Sequence, residues 1–207
     1  MLHGYVMRAI ILNEFERMKK YSEKRLDLEF INVNVFRSDE IKDIDNNYIF
    51  IVNTQCEQNK DAHWLVCQND GRNFIFFDSF GKHPRDFIDE ERANEFDKFL
   101  SSALKNYPLK YNRKKYQNEE STLCGGYALL FVLFAFHRAT DDEKRWGVLS
   151  EKLSDFQNFL EHNKRIDPYN KELSYDKFVR DIILEKYKDL PEETRTILES
   201  QGLWRGL

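Results

Sequence analysis

The chain of 207 residues is short of cysteine, proline and glycine, with three, four and eight respectively. Three widely spaced cysteines do not make a disulfide framework, and they suit a reducing compartment. So few glycines and prolines, with no repeat and no biased stretch, exclude linker-like, collagenous or low-complexity chains. Long apolar runs are missing too. The longest, Tyr127–Phe136, has ten residues, about half of what crosses a bilayer. Met1 is followed by Leu-His-Gly-Tyr and soon by Glu14 and Glu16, without the apolar stretch and small-residue cleavage site of a secretory leader. No membrane association and no secretion are therefore expected. Positive charge is not in excess either: a net charge of −4 argues against a dedicated nucleic-acid binder.

What the chain does have is 41% hydrophobic residues, with 17 phenylalanines among them. A single domain of this size buries roughly 70% of its unfolded surface without a metal or disulfide staple. We therefore expect one domain over 1–207. Met7, Ile11, Phe15 and Met18 follow helical spacing. Leu26–Phe30 and Ile31–Val35 alternate as strands do, and Tyr48–Thr54 is a short β-branched and aromatic run. His63–Gln68 and Asn73–Asp78 flank Asn69-Asp70-Gly71, a hairpin turn signal. Phe96, Leu100 and Leu104 mark a helix, Leu109–Gln117 a further strand, and Leu123–Arg138 a helix that is apolar all round and hence buried. Asp141–His162, Ser174–Lys188 and Pro191–Ser200 read as three more helices, with Ser174 as an N-cap and Pro191 at a first helical position. The expectation is an α+β fold: a small mixed sheet, a buried central helix, and a helical C-terminal extension from about 141 to 207.

Four features in chain order carry chemistry: His63-Trp64, Asp78, Gln117 and Cys124-Gly125-Gly126. His63 and Asp78 end the two strands of the hairpin, so a carboxylate can hold an imidazole. Cys124 opens the buried helix, where free N–H groups and the helix dipole favour a thiolate. Gly125 and Gly126 are expected to leave the backbone beside the sulfur open to a substrate carbonyl. Gln117 can aim its amide at a developing oxyanion. The bland readings compete: Cys124 as a core thiol, Asp78 as a turn residue, Gln117 as an ordinary polar loop residue. His83, five residues after Asp78, competes with His63. Cys56 and Cys67 read as small apolar fillers, and Cys56, His63 and Cys67 lack zinc-site spacing, so no metal or other cofactor is expected. Lys105–Tyr116 carries basic residues interleaved with tyrosines. It reads either as a charge-protected edge strand or as a DNA contact through Lys110, Arg113, Lys114 and Lys115.

The segments IVNTQCEQNKDAHWLVCQNDGRNFIFFDSFG and YQNEESTLCGGYALLFVLFAF resemble the catalytic segments of adenain, the adenovirus-type maturation cysteine protease. That family shares a clan with the SUMO-specific proteases and has relatives in virophages and Polinton-type elements. The resemblance spans about 48–136. It implies a papain-like or adenain-like fold with His63 as general base and acid, Asp78 orienting it, and Cys124 as nucleophile. Gln117 and the Cys124 N–H would form the oxyanion hole, and Trp64 would line the cleavage groove. The implied function is a cysteine endopeptidase that matures viral structural (capsid) precursors next to glycine, in a virion or inside a host cell. The alternatives are a protease of SUMO- or ubiquitin-like modifiers cutting after Gly-Gly, and a catalytically silent binding module. Three departures stand out. Asp78 replaces adenain's Glu, as in the SUMO-protease branch. Asn106 stands where adenain bears the cysteine that links its activator peptide, so no disulfide-linked activator is expected. The chain is acidic where adenain is basic. A monomer is expected.

Overall fold

A computed structural model describes residues 2–21, 32–41, 48–55, 62–89, 91, 94–141, 149–166 and 173–204. Helix α1 (Gly4–Tyr21) leads into strand β1 (Asn32–Arg37). Strands β2 (Tyr48–Asn53), β3 (Trp64–Asn69) and β4 (Phe74–Phe77) follow, then α2 (Glu95–Asn106) and β5 (Leu109–Tyr111). Helices α3 (Cys124–Asp141), α4 (Leu149–His162), α5 (Tyr175–Lys188) and α6 (Glu192–Ser200) complete the order, with a two-residue pair, β6 (Arg165–Ile166) and β7 (Leu173–Ser174), before α5. The five-stranded sheet runs β1-β2-β3-β4-β5, with β1–β2 and β4–β5 parallel and the central pairs antiparallel. It is the small mixed sheet expected of an α+β chain.

Every residue of β2, β3 and β4 is buried, because the sheet is covered on both faces. Alternate side chains feed two cores. Ile49, Ile51, Trp64, Val66, Ile75 and Phe77 pack on the side of α1, α3, α4 and α5. Tyr48, Phe50, Val52, Leu65, Cys67, Phe74 and Phe76 pack against Phe96, Leu100 and Ala103 of α2. In the first core, Phe77, Phe131 and Phe156 meet with ring centroids 5.0–5.2 Å apart, which ties β4 to α3 and α4. Burying each such ring contributes about 1.5–3 kcal/mol. Helix α3 is the central buried helix: Tyr127 to Leu133 are all buried.

The β3–β4 turn forms where the sequence places it. Gly71 adopts φ 80°, and the Asp70 carboxylate accepts from the Arg72 and Asn73 amides at 2.8 and 2.6 Å. Helix α2 starts with a reciprocal cap between Asn94 and Asp97, and Ser174 caps α5 by accepting from the Lys177 N–H at 3.3 Å.

Four boundaries differ from expectation. The strand expected over Leu109–Gln117 stops at Tyr111. There the buried Asn112 side chain takes over the ladder: its Oδ1 accepts from the Asp78 N–H at 3.0 Å, and its Nδ2 donates to the Asp78 carbonyl at 2.5 Å. Asp141 ends α3 rather than opening a helix, and α4 starts at Leu149. Pro191 is the residue before α6, not its first. The β6–β7 pair has too little sequence to show a period. The expected strand character of Leu26–Phe30 and the filler role of Cys56 lie outside the described residues.

Candidate functional site

His63 and Asp78 sit just beyond the paired ends of β3 and β4. The register pairs Val66 with Phe77; continued, it sets His63 opposite Phe80 and puts Asp78 two residues away on the same face. The carboxylate is fully buried, and its Oδ1 lies 2.5 Å from His63 Nε2. Its other oxygen accepts from the Lys82 N–H at 2.8 Å. That amide reaches back because Gly81 turns with φ 73°, close enough to the Arg113–Lys114 backbone that an added Cβ would lie 2.8 Å from Lys114 C. Asn112 clasps the Asp78 backbone from behind. The acid is thus held by its neighbours on all sides.

The imidazole is pinned as firmly. Its backbone exchanges bonds with Thr54: the Thr54 N–H donates to the His63 carbonyl at 2.9 Å, and the His63 N–H donates to Thr54 Oγ1 at 3.2 Å. Phe80 and Phe87 flank the ring at 5.2 and 5.8 Å. With Nε2 on Asp78, Nδ1 is left for the second hydrogen bond, to Cys124. Burial alone would depress this histidine's pKa. The hydrogen bonds to Asp78 and Cys124 and their negative charge outweigh it and raise the value from 6.5 to about 9.

Cys124 is the first residue of α3 and 4% exposed. Gln117 lies buried between two partners. Ser79 Oγ donates to its Oε1 at 2.6 Å, and its Nε2 donates to the Ser121 carbonyl at 2.6 Å. Cys124, His63 and Gln117 open together on one cleft of about 500 Å³. Thr54, Phe80, Lys82, Asp86, Phe87 and Asp89 are among its other walls. A thiol and a carboxylate-held imidazole beside an amide donor form a set suited to attack on a carbonyl carbon.

Three residues singled out in the sequence take other positions. Trp64 is 3% exposed and packs in the first core rather than on the cleft wall. A Cβ on Gly125 would lie 3.1 Å from the Trp64 ring and 3.2 Å from Leu2 Cβ, and one on Gly126 would lie 3.1 Å from Val179. These glycines admit α1's leading segment and α5 to the helix, and close packing replaces the openness expected of them. His83 caps the short 3-10 turn Pro84–Phe87, accepting from the Arg85 N–H at 3.1 Å, and its ring meets Tyr111. It is not at the cleft. Cys67 is fully buried in the second core, where burial pushes its thiol up. Of the basic stretch, Lys114 pairs with Glu161, and Lys115 with Glu119 at 2.6 Å. Among the described residues Lys110 and Arg113 meet no carboxylate. Asn106 ends α2 with its amide on Ser102. Among the described residues no group of three His, Cys, Asp or Glu side chains can hold a metal ion, and no helix is long and apolar enough to cross a membrane.

Sequence reasoning missed Ser79, Asn112 and Phe87. Each acts through a partner distant in sequence, and a single serine or asparagine carries no pattern of its own.

The model of the family described as Ulp1 protease family, C-terminal catalytic domain, matches residues 11–168. That match reaches beyond 48–136 on both sides and takes in most of α1 and all of α4. Among solved structures, ChlaDub1 from Chlamydia trachomatis is similar at 14% identity over 70% of this chain and 62% of that one, with a TM-score of 0.34. No curated protein matches the sequence.

Proposed function

The chain belongs to the Ulp1 protease family, and from that premise we propose that it is a cysteine peptidase cutting after glycine through an acyl-enzyme. The observation that carries this reading is the His63 ring held between Asp78 and Cys124. Asp78 fixes the ring with Nε2–H toward the carboxylate, so Nδ1 accepts the thiol proton. The Cys124 thiolate attacks the scissile carbonyl carbon. The oxyanion is met by Gln117 Nε2 and the Cys124 N–H at the start of α3. His63 returns the proton to the leaving amine, then deprotonates the water that releases the acyl group.

Family membership favours the glycine tail of a ubiquitin-like modifier as substrate. The acid points the same way: Asp78 stands where the resemblance to adenain alone would call for Glu. Maturation of viral structural proteins next to glycine is the second reading, favoured by the ordered motifs that 48–136 shares with adenain. Both place the protein inside a host cell or particle and need no cofactor. DNA finds a small footing, because Lys114 and Lys115 are already paired.

The test is labelling by glycine-directed probes with a thiol-reactive warhead, one on a short peptide and one on a whole modifier, with the modified residue mapped by mass. Reaction of the modifier probe at Cys124 supports the first reading, and reaction of the peptide probe alone supports the second. Labelling by neither probe would identify a silent binding module on the same fold.

A further inference from the structure

A glutamine serves an oxyanion hole in only one of its two orientations: Nε2 toward the substrate donates, whereas Oε1 there repels. We infer that Ser79 is the positioning residue that locks this orientation from the Oε1 side, with the Ser121 carbonyl selecting it from the Nε2 side, an inference that rests on the peptidase reading above. Ser79 follows Asp78 directly and is 1% exposed. Its hydroxyl donates to Gln117 Oε1 at 2.6 Å. The Ser121 carbonyl, which can only accept, holds Nε2 at 2.6 Å. One Nε2 hydrogen is used there and the second is left for the cleft that Gln117 shares with Cys124.

The backbone makes the same link. The Ser79 carbonyl accepts from the N–H groups of Tyr116 and Gln117 at 2.8 and 3.1 Å. The residue next to the acid therefore carries the segment that bears the oxyanion donor, and two functional groups from distant parts of the sequence share one support. Removing the hydroxyl leaves Oε1 buried without a partner and the amide held at Nε2 alone, so that its aim loosens. The backbone link survives, so the fold keeps its segment while the amide loses its aim.

Ser79→Ala separates these roles. A misaimed donor matters only when charge develops on the carbonyl oxygen, so kcat for a glycine-containing peptide should fall roughly ten- to a hundredfold. KM should change by less than about twofold. Alkylation of Cys124 by iodoacetamide passes through no oxyanion and should keep its rate. Ser79→Thr retains the hydroxyl and should recover most of kcat. In ¹⁵N–¹H spectra the Gln117 side-chain amide should give two well-separated, slowly exchanging proton signals in the wild type, and these should collapse toward free-amide values in Ser79→Ala. An unchanged kcat, or kcat and alkylation falling together, would overturn the inference. Were the wild type to turn over neither a glycine peptide nor a ubiquitin-like modifier carrying a glycine tail, the peptidase reading would fall, and the Gln117 signals alone would decide whether Ser79 holds the amide.

Discussion

Cys124 and Cys67 carry the same thiol in opposite settings. Cys124 heads a helix and meets an imidazole, whereas Cys67 lies among phenylalanines on the far face of the sheet. Cys124→Ala should abolish turnover of a glycine peptide and Cys67→Ala should keep most of it, as read by initial rates. His63→Ala should cost about a hundred- to ten-thousandfold in kcat, and Asp78→Asn less, since a Cys–His ion pair partly sustains itself. The pH profile follows from the raised His63 value. The protonated ring is the form its partners favour, so its contribution to folding is complete below 6.5 and is lost as pH rises through about 9. As proton donor to the leaving amine it fails in the same window, so kcat should fall above about pH 9. Asp78→Asn removes the strongest raising partner and should move that alkaline limb toward 6.5. A limb that stays in place would deny Asp78 its hold on the ring. At this scale the meeting of His63, Asp78, Gln117 and Cys124 was legible from their types and order, and the structure brings them together around one cleft. The supporting Ser79 and Asn112 were not, because their meaning lies in partners 38 and 34 residues away.

Strands β2 to β4 were readable as continuous apolar runs, since burial on both faces leaves no polar alternation to confuse them. The end of β5 was not readable. Nothing in the spacing of Leu109–Gln117 tells that Asn112 will leave the ladder to grip Asp78. The glycines of α3 show the same limit: their sequence suggests room for substrate, and the structure fills that room with Leu2, Trp64 and Val179. Gly81 is the turn on which the site depends. Its left-handed φ and the nearby Lys114 carbonyl oppose any side chain. Gly81→Ala should destabilise the fold by about 1–3 kcal/mol and detach the Lys82 N–H from Asp78. Urea titration reads the first effect. The second predicts that the alkaline limb of kcat moves toward 6.5 in the same direction as for Asp78→Asn.

The C-terminal helix α5 braces α3, the helix that Cys124 opens. Tyr127 Oη donates to Asp176 Oδ1 at 2.7 Å, and Val179 and Ile183 close on Gly126. We propose that such a brace takes the place of an external activator; Asn106, at the end of α2, offers no thiol for a covalent one. Purified protein should therefore hydrolyse a glycine peptide at a basal rate that reductant does not diminish and candidate viral peptides do not create. Activity that appears only with a peptide released by reductant would refute this. With two of four cations already paired, added DNA should change the rate little, and the residual effect should vanish with salt. The α+β class and the order of site residues were legible for the whole molecule. The two-core arrangement was not, because one strand sequence does not say which helix will cover which face.

Trp64 lies against Gly125, the neighbour of the sulfur, with its indole out of water. Trp204 is stacked on Tyr187 near the other end of the chain. The indole beside Gly125 is thus a native optical reporter. Its emission should shift when Cys124 is acylated or alkylated, in step with product formation. Trp64→Phe should silence that change, so that a stopped-flow trace of the unlabelled protein separates acyl-enzyme formation from its hydrolysis.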